Sequence, residues 1–140
     1  MKILIALLAV LFASYSAKDS GGGVLDLVKI YYVPIGVETY VPMTPENIED
    51  SATSVGEVDP SSRQFKRLLN ILYSSSRGQF KVDDLRVKII LPKNEIIYID
   101  NHGGVRLPSS ETHKLTYSDL KTVKKILERT TNKVNMVEKY

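Results

Sequence analysis

Leu85-Arg86-Val87-Lys88-Ile89-Ile90-Leu91-Pro92-Lys93-Asn94-Glu95-Ile96-Ile97-Tyr98-Ile99-Asp100 carries the pattern from which the fold of this chain is read. Leu85, Val87, Ile89 and Leu91 alternate with Arg86 and Lys88, the period-two signature of a strand with one apolar and one wet face. Pro92-Lys93-Asn94 supplies a turn, and the next run, Ile96-Ile97-Tyr98-Ile99, is apolar on both faces. A strand of that kind lies inside a sheet with another layer against it.

Downstream, Asn101-His102-Gly103-Gly104 offers glycines where a turn needs positive φ, and Val105-Arg106-Leu107 returns as a short third strand that stops at Pro108. Thr116 then caps a helix, with Asp119 three residues on and Leu115 and Leu120 placed as a hydrophobic staple. Leu120, Val123 and Leu127, flanked by Ile126, form its inner face, and Lys121, Lys124, Lys125 and Glu128 stay wet. Residues 132–140 read as a polar tail.

Upstream, Phe65, Leu68, Leu69, Leu72 and Tyr73 recur at helical spacing after Asp59-Pro60, giving a first long helix. Residues 51–59 are polar, acidic and glycine-containing and read as the longest loop. Thr44-Pro45-Glu46 starts a short helix that runs to about Asp50. Val28, Ile30 and Tyr32 share one face of a strand whose other face carries Lys29 and Tyr31. Val37, Thr39 and Val41 alternate until Pro42, so that the two stretches read as a first hairpin or as one bent edge strand. The order ββ-α-βββ-α predicts an α+β domain at residues 24–131. Its mainly antiparallel sheet has about four to five strands, and two principal helices cover one face.

The N-terminus predicts a destination. Lys2 precedes an apolar run from Ile3 to Ala13, followed by Ser14-Tyr15-Ser16-Ala17, the three-part order of a signal peptide over residues 1–17. Eleven apolar residues fall short of the ~20 of a spanning helix, so cleavage near Ala17 and no stable membrane span in the mature form are expected. Residues 18–23 make a flexible linker. Of 140 residues none is cysteine. The fold needs no disulfide, and thiol chemistry and a cysteine zinc site are excluded. An exported chain of this kind suits a bacterial periplasm or the medium outside the cell.

A net charge of +3, or +2 without Lys2, is too balanced to argue for nucleic acid. Charge is unevenly spread, with Glu38, Glu46, Glu49, Asp50, Glu57 and Asp59 in a segment holding no base. Eight tyrosines and no tryptophan give interface character, since tyrosine joins apolar area to a polar tip. Tyr31, Tyr40, Glu46, Glu49, Asp50 and Glu57 are therefore the candidate binding surface, suited to a basic protein or envelope partner. The expected function is a non-enzymatic, exported inhibitor, immunity or accessory protein that needs no cofactor.

Two alternatives carry different chemistry. Asp100, His102, Glu111 and His113 combine carboxylates and imidazoles at two-residue spacing, a donor set suited to a divalent metal if the chain folds back between them. Retention of the leader would instead make the chain a membrane-anchored assembly component. Hydrolysis has atoms but no context, because Ser74-Ser75-Ser76 and the two histidines lie outside any nucleophile-elbow sequence.

Overall fold

The structure, a computed structural model, describes residues 26–133. The predicted leader, the linker at residues 18–23 and the tail from residue 134 lie outside them. The strands are β1 (Val28–Tyr32), β2 (Ser54–Val58), β3 (Ser76–Arg77), β4 (Leu85–Ile90), β5 (Ile96–Asp100), β6 (Gly104–Arg106), β7 (Thr112–Lys114) and β8 (Asn132–Lys133). The helices are α1 (Ile48–Ser51), α2 (Arg63–Ser74) and α3 (Tyr117–Thr130). The strands form one sheet in the order β3-β7-β6-β5-β4-β1-β2-β8. Each neighbouring pair is antiparallel.

The α+β architecture follows the sequence pattern, but eight strands replace the expected four to five. β2 occupies the segment read as a loop. Ser54, Gly56 and Glu57 are weak strand formers, and five registered pairs with β1 hold them extended. Val37 to Val41 is no strand, because β1 already has β2 on one edge and β4 on the other. Its alternating valines are exposed instead. Thr112-His113-Lys114 and Asn132-Lys133 pair as short strands that their polar composition conceals.

One sheet face carries the main core. Val28 and Ile30 of β1, Val87 and Ile89 of β4, Ile97 and Ile99 of β5 and Val105 of β6 meet Phe65, Leu68 and Leu72 of α2 and Val123, Ile126 and Leu127 of α3. Each such aliphatic side chain contributes about 1.5–3 kcal/mol on full burial. Ser62 and Thr116 cap α2 and α3, the latter accepting from the Asp119 N–H at 3.1 Å. Among the described residues no helix is long and apolar enough to cross a membrane.

The opposite face is covered in part by the segment leading into α1. Val33, Met43, Ile48, Leu85 and Tyr98 form a second, smaller cluster there. The register of β4 against β5 shifts between Leu85 and Val87, making Arg86 the extra residue of a bulge. Leu85 thereby joins the second cluster while Val87 stays in the first. This overturns the expectation of a wet strand face, since Arg86 is 1% and Lys88 9% exposed.

Candidate functional site

The buried Arg86 supports an exposed loop beside a surface cleft. Its Nη2 donates to the Val37 carbonyl at 2.8 Å, its Nη1 donates to the Leu85 carbonyl at 2.8 Å, and Nη1 lies 3.1 Å from Asp84 Oδ1. The loop above it, residues 36–42, is pinned again where the Gly36 N–H donates to Asn101 Oδ1 at 2.7 Å. Gly36 has φ +90°, a backbone state cheap for glycine alone. At the far end Asn47 donates from Nδ2 to the Pro42 carbonyl and accepts from the Thr44 N–H, both at 2.8 Å. Thr39 donates to the Val41 carbonyl at 2.8 Å.

So anchored, the loop holds Tyr40 entirely in solvent, with Val37 and Val41 each more than half exposed. Between the loop and the turn at Lys81, Asp83 and Asp84 lies an open cleft of about 560 Å³ that also reaches Glu38, Asn101 and His102. Val82, in that facing turn, is another exposed apolar side chain. Apolar side chains at a surface beside acids are the composition of a contact patch.

The six residues predicted as one surface fall into separate groups. Tyr31, Glu49 and Glu57 gather on the outer sheet face: Lys29 stands opposite Glu57 and reaches over the Tyr31 ring at 5.2 Å, and Glu49 accepts from Lys88 Nζ at 2.7 Å. The Tyr31 hydroxyl and the surrounding carboxylates raise the Lys29 pKa above its ordinary value. Glu46 and Asp50 are exposed at and before α1, with the Thr44 side chain holding the Glu46 carboxyl below its ordinary pKa. Tyr40 stands apart at the cleft. The anchors Arg86, Asn101 and Asn47 have no distinguishing sequence signal, because an arginine in an alternating strand reads as solvated.

The proposed metal ligands do not assemble. Asp100 is buried, and its carboxylate accepts from the N–H groups of Lys81, His102 and Gly104, each at 2.8 Å. His102 Nε2 instead lies 3.5 Å from Asp84 Oδ2. Glu111 and His113 do meet, at 3.5 Å, but beside β3, where Glu111 also pairs with Arg77 at 3.0 Å. Among the described residues no three His, Cys, Asp or Glu side chains are grouped to hold a metal ion. Backbone donors fill the carboxylate of Asp100 more cheaply than folding eight residues back onto it.

Ser75 and His113 bring serine and imidazole together with Glu111, a grouping that proton accounting resolves. Ser75 Oγ donates its one proton to the Leu72 carbonyl at 2.6 Å, so it accepts from His113 Nδ1 at 3.2 Å. A nucleophilic serine gives its proton to the imidazole instead. The contact joins the end of α2 to β7.

Across the outer face runs a row of paired residues, Val55, Tyr31, Lys88, Tyr98, Arg106 and Thr112, one from each of six strands. It alternates aromatic rings and cations, with Lys88 6.0 Å and Arg106 4.9 Å from the Tyr98 ring. Comparison with protein-family models, curated proteins and solved structures finds no match for this chain.

Proposed function

We propose that this chain is a small exported, non-enzymatic protein that binds another protein in the periplasm or extracellular space through the loop at residues 36–42. The observation that carries the reading is a fully exposed Tyr40 on a loop held at both ends by side-chain hydrogen bonds. An aromatic anchor fixed before contact avoids most of the ordering cost of association. The partner is basic at its contact surface, because Glu38 and Asp83 are exposed at the cleft beside the loop. Such charge sets the rate and selectivity of encounter more than the final affinity.

Affinity capture from envelope and medium fractions tests this reading with two variants that leave the core untouched. Tyr40→Ala with Val41→Ser is expected to lower affinity for a saturable partner at least about tenfold, the effect of losing a central aromatic anchor. Glu38→Gln with Asp83→Asn is expected to slow association mainly at low salt. Equal capture by the first variant would place the surface elsewhere and sink the proposal. N-terminal sequencing of this chain recovered from the envelope or medium should report a start near Ala17.

A further inference from the structure

A second depression, of about 900 Å³, lies at the opposite end of β4 and β5 from the Tyr40 loop. Tyr73 of α2 and Tyr98 of β5 contribute its aromatic walls, and the turns at Asn94-Glu95 and Pro108 to Ser110 form its rim. Arg106 lies within it. The guanidinium is 5.4 Å from the Phe80 ring and 4.9 Å from the Tyr98 ring, so two aromatic side chains hold it in place. Among the described residues no carboxylate pairs with it. A cation held between aromatic rings at a concave surface, with no carboxylate partner among the described residues, is a receptor for a planar anion.

The surrounding groups narrow the ligand. Glu95 repels a multiply charged anion such as phosphate, whereas one guanidinium balances one carboxylate. Tyr73 is half exposed and offers a ring face, while Asn94, Glu95, Ser109 and Ser110 provide donors and acceptors for hydroxyl groups. Burial, with Glu95 nearby, raises the Tyr73 pKa, which keeps its hydroxyl a donor. The rim turns also hold the three non-glycine residues with positive φ among those described: Lys93 at 66°, Asn94 at 60° and Ser110 at 74°. Such conformations recur where a backbone is shaped for contact.

We infer that this depression binds a carboxylated sugar, its carboxylate against the guanidinium of Arg106 and its ring laid on Tyr73. Pyranose C–H groups meet the electron-rich ring face, and the ring hydroxyls reach the polar rim. The site is distinct from the Tyr40 loop, so either can fail without the other.

Sodium galacturonate, with a single carboxylate, is the probe, titrated by calorimetry and by tyrosine emission, with the methyl ester of galacturonic acid as its uncharged counterpart. Saturable binding of the acid form, weakened about tenfold or more by esterification, is the expected result. Arg106→Gln should abolish that preference, and Tyr73→Ala, at a half-exposed helix position, should weaken binding several-fold without lowering the melting temperature. Tyr117→Ala, an exposed tyrosine on α3, should leave the affinity unchanged. Absence of saturable binding, equal affinity for the ester, equal affinity for citrate, or full binding by a folded Tyr73→Ala each overturns the inference.

Discussion

Asp100 is a buried carboxylate that accepts from three backbone N–H groups and pairs with no basic side chain among the described residues. Those donors come from Lys81 before β4 and from both sides of the β5–β6 turn, so one side chain ties two turns together. Converging backbone N–H groups of this kind make an anion-holding concavity, filled here by the protein itself. Asp100→Ala leaves three donors without an acceptor, at about 1–3 kcal/mol for each that water does not reach. The expected outcome is a loss of about 3 kcal/mol or more, read as a fall in the urea midpoint at unchanged slope. An unchanged midpoint would mean that these donors find other acceptors. Sequence placed Asp100 at a Gly-Gly turn and favoured turn chemistry over a metal; in the structure its carboxylate accepts from backbone N–H groups at two turns.

Elements show where sequence reading succeeds and where it runs out. The β4–β5 hairpin, β6, α2 and α3 are legible because their apolar periodicity and caps are local properties. β2 is not, since Ser54-Val55-Gly56-Glu57-Val58 becomes a strand only through β1 beside it and α3 above it. Gly56 shows this dependence: a Cβ there would run into the backbone of Thr130 at the end of α3. Gly56→Ala should therefore cost about 2 kcal/mol, as overpacking does, and lower the melting temperature although alanine is no worse a strand former. No loss on calorimetry would mean that α3 shifts freely. The candidate site was legible only in part for the same reason. Tyr40 and its acids stand out as residue types, but the Arg86 strut exists through a bulge that no local pattern announces.

Across the whole molecule, stability on the alkaline side depends on two buried groups in different layers. Tyr32 lies in the main core, where burial raises its pKa against a smaller lowering from the Ile35 backbone, and among the described residues its hydroxyl has no partner in good hydrogen-bond geometry. For Lys88, burial opposes the charge, but the Glu49 hydrogen bond and neighbouring groups outweigh it and raise the pKa above 10.5. Both hold their protons more tightly folded than unfolded. Their contribution is complete below the unfolded values and is lost as pH rises through the folded ones. The melting temperature should thus hold level to about pH 9 and fall above about pH 10. Tyr32→Phe should make that fall shallower and at pH 7 match or exceed the parent by up to about 1 kcal/mol; a steeper fall would contradict the assignment. The position of β1 has a consequence for the order in which the chain folds. Although first in sequence it lies between β4 and β2, with Ile30 opposite Ile89, so the middle of the sheet closes across α1, β2, α2 and β3. Such distant pairing makes folding slow. A chain emerging N-terminus first cannot close the β1–β4 pair at the centre of the sheet until residue 90 has followed.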